Sequence, residues 1–205
     1  MGYRKGTLSV TWRIAGMVAA ALLLAGPSAP AVPAHADPDC APVQLVYARG
    51  TTEPGDLGAA VGDLLYRDLQ ATLPMDIDAY QVRYPANLLD PNSVGDGRTD
   101  LAAHLAEQSA LCPQQQFILA GYSQGAVVVQ TALLLPDLAG RISLILLFGD
   151  PLPALGWNVP GPYSDRAADY CAPGDPVCAG GLDPAAHLYY GNDIRSAAGL
   201  AASKL

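Results

Sequence analysis

Histidine is scarce in this chain, with three in 205 residues, at His35, His104 and His187. Any chemistry that needs an imidazole therefore has few places to find one. CxxC pairs are absent, and with so few histidines a structural zinc site lacks its usual ligands, so no metal is expected. Basic side chains are also few: 11 Lys and Arg stand against 19 Asp and Glu, for a net charge of −8. No basic stripe or run concentrates them, and such a chain repels nucleic acid and anionic lipid. Apolar runs are short. The stretch Ile14 to Ala25 is 12 residues, whereas a membrane-spanning helix needs about 20, so no membrane anchor is expected. Internal repeats and linkers are missing too, which leaves one compact domain as the default.

What is present begins with the N-terminus. Arg4, Lys5 and Arg13 precede the apolar stretch, and small residues and prolines follow it as far as Ala34-His35-Ala36. This is the pattern of a secretory signal peptide over 1–36, with cleavage expected after Ala36 and no cysteine there to carry a lipid. Removing three basic residues and no acid leaves 37–205 with a net charge of −11, and His35 leaves with the leader. All four cysteines, Cys40, Cys112, Cys171 and Cys178, lie beyond it. An even count in a secreted chain reads as two disulfides. Three pairings are possible, and the C-x6-C spacing favours a local bridge between Cys171 and Cys178, leaving Cys40 for Cys112.

Strand-like and helix-like stretches alternate along the mature chain. VQLVYA (43–48), IDAYQVRY (77–84), QFILA (116–120) and ISLILLF (142–148) read as strands. The last two are almost continuously apolar, as strands covered on both faces must be. Between them, 57–72 places Val61, Leu64, Leu65 and Leu69 on one helical face with Asp56 as a possible cap, and 98–111 does the same with Leu101, Leu105 and Ala106. The β-α-β-α order predicts a parallel sheet with helices on both faces.

Functional groups in such sheets sit at the carboxyl ends of strands. GYSQG, residues 121–125, falls there, between the strand 116–120 and a helix expected to start near Gln124. A serine in G-x-S-x-G is held on a tight turn that exposes its hydroxyl, with small neighbours letting strand and helix approach. A serine nucleophile needs a base and an acid that orients the base. His104 precedes Ser123 in mid-helix and suits a structural role; His187 follows Ser123 outside any strong periodic pattern. By order alone Asp137, Asp150, Asp165, Asp169, Asp175 and Asp183 all qualify as the acid. Asp175 stands apart, since it lies in CAPGDPVC inside the proposed short disulfide loop.

VYARGTTEPGDLG (46–58), GYSQGA (121–126), CAPGDPVC (171–178) and HLYYG (187–191), in this order and spacing, resemble the cutinase family of serine esterases over nearly all of the mature chain. The resemblance implies a small α/β-hydrolase fold of about five strands, mostly parallel, without a cap domain. It implies Ser123 as nucleophile, His187 as base, Asp175 as its partner, and the bridges Cys40 to Cys112 and Cys171 to Cys178. It also implies an oxyanion hole from the backbone N–H groups of Thr51 and Gln124 together with the Thr51 hydroxyl. Segments 86–95 and 179–187 are the expected lips of an open site. Asp183 and Pro184 interrupt the second lip, where polymer-degrading members are more apolar, which favours soluble esters of short to medium acyl chains over cutin. The expected function is a secreted, monomeric carboxylic ester hydrolase without cofactor, acting through an acyl-enzyme. Deacetylation of carbohydrate esters or hydrolysis of phospholipid acyl chains is the alternative within the class. An inactive secreted binding or cell-envelope protein on the same scaffold is the alternative outside it.

Overall fold

The structure, a computed structural model, describes Gly2 and residues 40–205 apart from 137 and 139. The expected leader with its cleavage point and the candidate acid Asp137 lie outside the described residues.

Five runs form strands: β1 (Val43–Ala48), β2 (Ile77–Gln81), β3 (Gln116–Tyr122), β4 (Arg141–Phe148) and β5 (Ala167–Tyr170). They make one parallel sheet in the order β2-β1-β3-β4-β5. The strands read as unbroken apolar runs because each face has its own core, yet a period of two still decides which core a residue enters. Val43, Leu45, Tyr47, Ile118, Ala120, Tyr122, Leu144, Leu146 and Phe148 pack with Leu65 and Leu69 of α1 (Gly62–Thr72) and Ile194, Ala197 and Ala201 of α4 (Gly191–Lys204). Val46, Ala48, Phe117, Leu119, Ile145 and Leu147 pack with Leu101 and Leu105 of α2 (Ser93–Leu111) and Ala126, Val128 and Val129 of α3 (Gln124–Ala132). Each fully buried Leu, Ile or Val contributes about 1.5–3 kcal/mol, so both faces are held. The alternation in β4 survives one interruption: the pairing with β3 jumps from Ile142 to Leu144. Ser143 is thus the extra residue of a bulge, its hydroxyl donating to Gln116 Oε1 at 2.7 Å.

The parallel sheet covered on both faces is what the alternation of strands and helices predicts, and the α/β-hydrolase architecture without a cap is what the resemblance implies. Its element bounds differ from the sequence expectation for local reasons. The first helix begins at Gly62 rather than 57, because 51–61 is a loop organised around buried Glu53. Asp56 does not cap it, and Asp63 Oδ1 accepts the Leu57 N–H at 2.9 Å instead. β2 stops at Gln81 rather than Tyr84, since Arg83 N–H already turns to Asp100 Oδ2, 2.8 Å away. The second helix starts at Ser93, before 98.

The disulfides are Cys40–Cys112 and Cys171–Cys178. The first ties the chain ahead of β1 to the end of α2, and the second closes a loop after β5. Among the described residues no helix is long and apolar enough to cross a membrane. From β1 the chain passes to β2 on one side and returns to β3 on the other. The strand order reverses there, which opens a crevice at the carboxyl ends of β1 and β3.

Candidate active site

β3 ends at Tyr122 and α3 begins at Gln124, so Ser123 alone makes the turn between them. Its φ of 55° and ψ of −118° lie in a region that a non-glycine residue occupies at a cost of about 1–3 kcal/mol. The turn is held from two sides, by Ser123 N–H donating to Phe148 O at 2.9 Å and by Ala126 N–H donating to Ser123 O at 3.0 Å. The flanking glycines are required by space. A Cβ on Gly121 would lie 2.4 Å from Gly125 O, and one on Gly125 would lie 1.9 Å from Ala48 O. The motif thus seats the start of α3 directly on the end of β1.

His187 belongs to a 3₁₀ turn, Ala186–Leu188. Its Nε2 is 3.1 Å from Ser123 Oγ and its Nδ1 is 2.7 Å from Asp175 Oδ2. The carboxylate can only accept, so the proton sits on Nδ1 and Nε2 is left to accept from the serine hydroxyl. Asp175 is fully buried. Burial alone would raise its pKa, but donation from Tyr190 OH, His187 and Val177 N–H outweighs it and holds the carboxyl below its usual range. Its backbone is pinned within the Cys171–Cys178 loop by Asp175 N–H to Ala172 O at 3.0 Å, and its carbonyl accepts from Ala179 and Gly181 at 3.1 and 3.0 Å. Ser123 is 64 positions from His187, and His187 12 from Asp175, and the three are brought together from the end of β3, the disulfide loop and the turn before α4.

The other acids allowed by chain order lie elsewhere. Asp150 is buried and accepts from Leu152 N–H at 2.9 Å and from Gln130. Asp165 pairs with Arg166 at the surface, and Asp169 lies on β5. Asp183 Oδ1 accepts the Ala185 N–H at 3.0 Å, which shapes the turn leading to His187. His104 is half-buried in α2, stacked on Tyr80, with Nε2 2.6 Å from Gln44 Oε1.

Across the cleft, Thr51 Oγ1 lies 3.4 Å from Gln124 Oε1. Gln124 is the first residue of α3, where the N–H has no intrahelical acceptor and the helix dipole is positive. The loop bearing Thr51 is clamped by Glu53, whose carboxylate accepts from Gly50, Ala60 and Val61 N–H at 2.7, 2.8 and 3.2 Å. Burial raises the Glu53 pKa, and those N–H groups only partly oppose it. Thr52, with φ of 53°, is fixed by its N–H to Ala86 O at 2.8 Å. The end of β1 is braced as well: Arg49 Nη2 donates to Tyr84 O at 2.9 Å and its cation sits over the Tyr84 ring.

Sequence reasoning passed over Glu53, Tyr122 and Tyr190. Glu53 sits in a turn between strand and proline, where an acid looks like an ordinary surface residue. Tyr122 OH donates to His187 O at 2.5 Å, and Tyr190 OH to Asp175 Oδ2 at 2.5 Å. A tyrosine three residues after the candidate base is a usable signal, because so short a separation leaves its hydroxyl within reach of the carboxylate that orients the base.

These groups open into a cleft of about 650 Å³ lined by Thr51, Pro54, Ala59, Leu88, Val177 and Leu188 beside Ser123 and His187. A serine hydroxyl hydrogen-bonded to an imidazole whose second nitrogen donates to a buried carboxylate is an arrangement suited to acyl transfer. Each of the two expected lips contributes one residue, Leu88 from 86–95 and His187 from 179–187.

The model of the Cutinase family matches residues 39–205. The chain is 38% identical over 194 residues to Carboxylesterase Culp1 of Mycobacterium tuberculosis, covering 87% of each chain. It is 35% identical over 196 residues to Phospholipase Culp4 of the same organism, covering 88% of this chain and 84% of that protein. The solved Trichoderma reesei cutinase bound to a phosphonate inhibitor superposes with a TM-score of 0.69 at 32% identity, covering 78% of this chain and 74% of that one. A match spanning almost all the described residues leads to one conclusion: this chain belongs to the cutinase family of carboxylic ester hydrolases.

Proposed function

We propose that Ser123, His187 and Asp175 form the hydrolytic triad of a secreted esterase, and the observation that carries this is the unbroken chain from Ser123 Oγ through His187 to buried Asp175. Nε2 of His187 takes the serine proton as Oγ attacks the ester carbonyl. The resulting oxyanion faces the N–H groups of Thr51 and Gln124, with the Thr51 hydroxyl beside them. A donor of that kind is worth about 3–4 kcal/mol to the transition state. Nε2–H then protonates the departing alcohol, leaving an acyl-enzyme, and water activated by the same nitrogen releases the acid and restores the serine. Asp175 stays ionised throughout and stabilises the imidazolium.

The substrate is an ester of a short to medium acyl chain, lying against Val177, Leu188 and Leu88. The support for that limit is Asp183, an exposed carboxylate four residues before His187, which lines the cleft. Hydrolysis of phospholipid esters is the second reading. It is favoured by exposed apolar side chains at the cleft, Leu88 at 73% and Leu188 at 58%, with Leu89, next to Leu88 in the chain, exposed as well. Export with cleavage after Ala36 and action as a monomer complete the proposal, supported by the N-terminal pattern and by two disulfides in one domain.

The test is a nitrophenyl ester series from acetate to palmitate, run beside labelling by a serine-directed phosphonate. Label on Ser123 and a maximum at short to medium chains are expected; an optimum at palmitate refutes the Asp183 argument. Ser123→Ala and His187→Ala are each expected to lose turnover by about a million-fold without unfolding, since triad losses do not add. A His187→Ala enzyme within tenfold of the parent sinks the assignment.

A further inference from the structure

The two oxygens of Asp175 are used unequally. Oδ1 accepts Val177 N–H at 2.7 Å. Oδ2 accepts twice, from His187 Nδ1–H at 2.7 Å and from Tyr190 OH at 2.5 Å. Tyr190 is 1% exposed and is the residue from which α4 starts, with Ile194 N–H donating to its carbonyl at 2.8 Å. Its ring is fixed edge-on against Phe148 at 5.8 Å and against Tyr122 at 6.0 Å. The hydroxyl thus reaches the carboxylate from a rigid mount rather than from a mobile side chain.

Resting on the triad reading above, we propose that Tyr190 is a positioning residue for hydrolysis: its hydroxyl occupies the second lone pair of Asp175 Oδ2, so that the carboxylate presents one remaining lone pair to His187. Three hydrogen bonds then hold the carboxylate plane, only one of which is to the imidazole. The turn carrying His187 is tied to the same frame, because Tyr122 OH donates to the His187 carbonyl at 2.5 Å. His187 and Tyr122 are the titratable groups that face Tyr190 and Asp175 from the packed elements, and the nearby Cys178 sulfur is in a disulfide. Burial, then the Asp175 carboxylate, push the Tyr190 phenol up, so it stays a donor across the working range of an esterase.

Without the phenol proton, more negative charge remains on Oδ2 and the neighbouring imidazolium is better stabilised. A higher pH is then needed to free the base, while the looser carboxylate holds the ring less well.

The experiment compares the parent, Tyr190→Phe, Asp175→Asn and the double variant, with Tyr66→Phe as the control. Tyr66 also loses a hydroxyl, one that donates to the Ile77 carbonyl at 3.1 Å. For nitrophenyl butyrate, Tyr190→Phe is expected to lower kcat about tenfold, the loss of one hydrogen bond to a charged group, with KM unchanged. Its acid-side midpoint is expected to rise by about one pH unit. Tyr66→Phe leaves both alone. In the Asp175→Asn background the rate of phosphonate labelling is expected to show no further loss from Tyr190→Phe. Parental kcat and midpoint, or an equal loss in both backgrounds, overturns the proposal while leaving the triad standing. A parent that turns over ester but is not labelled on Ser123 removes the triad and this proposal together. Should Tyr190→Phe fail to fold, the parent grown on 3-fluorotyrosine keeps every contact with a stronger donor. Its midpoint is expected to fall, and an unmoved midpoint overturns the proposal.

Discussion

Replacing Gly125 by alanine sets two known effects against each other. In a helix interior alanine is favoured over glycine by about 1 kcal/mol, and Gly125 is the second residue of α3. A Cβ there, however, would lie 1.9 Å from Ala48 O, 2.5 Å from Ala48 C and 2.7 Å from Arg49 O. All three are main-chain atoms at the end of β1, so no rotamer can relieve the contact. Ordinary carbon contacts begin at about 3.5 Å, and either α3 or the end of β1 must retreat by more than an ångström. Overpacking costs about 1–3 kcal/mol or more, which outweighs the helix gain, and for a domain of this size each kcal/mol moves Tm by about 2–4 °C. The same retreat separates Ser123 from Thr51, and a misplacement of about 1 Å costs about 100-fold in rate. The comparison is Gly199→Ala in α4, where a Cβ meets nothing within 4 Å. Melts by circular dichroism and kcat/KM on nitrophenyl butyrate are expected to show Gly199→Ala more stable by a few degrees with parental activity. Gly125→Ala is expected to be less stable and at least 100-fold slower. A Gly125→Ala enzyme with parental Tm and rate refutes the argument that the second motif glycine is there for space.

The disulfides are expected to fail differently. By the chain-entropy relation, the bridge of sequence separation 72 contributes about 4.4 kcal/mol and that of separation 7 about 2.5 kcal/mol. Cys40→Ser with Cys112→Ser is therefore expected to lose fold and activity together on warming. Cys171→Ser with Cys178→Ser is expected to lose activity at temperatures where it is still folded, because the short loop holds Asp175. Full turnover in that folded variant contradicts the loop's role.

The fold was legible wherever a local pattern had one physical cause. Near-continuous apolar runs at 116–120 and 142–148 mark strands buried on both faces, because a helix face or a half-exposed strand would break such runs with polar residues. β5 was not placed in advance, since AADY is four residues long, with one exposed acid, and carries no such pattern. The spacing of Val61, Leu64, Leu65 and Leu69 predicts a helix from 57, whereas 57–61 belongs to the loop. What overrides the spacing upstream is tertiary: one buried carboxylate, Glu53, accepts the N–H groups of Gly50, Ala60 and Val61 and folds 51–61 around itself.

The candidate site divides along the same line. Ser123 announces itself because its strained turn needs glycines on both sides, a constraint confined to five consecutive residues. His187 stands out through scarcity alone. The supports do not, because what makes Tyr190 and Glu53 important is the direction of a hydroxyl or carboxylate inside the fold, and tyrosine and glutamate are common enough to be overlooked. Tyr190 is nonetheless tied to the motif by geometry: it lies two residues beyond the 3₁₀ turn that carries the histidine and is the residue from which α4 starts. A base presented on so short a turn has little packing of its own, with 16% of its side chain exposed. Its orientation must then come from neighbours that are themselves buried, which Asp175, Tyr122 and Tyr190 are.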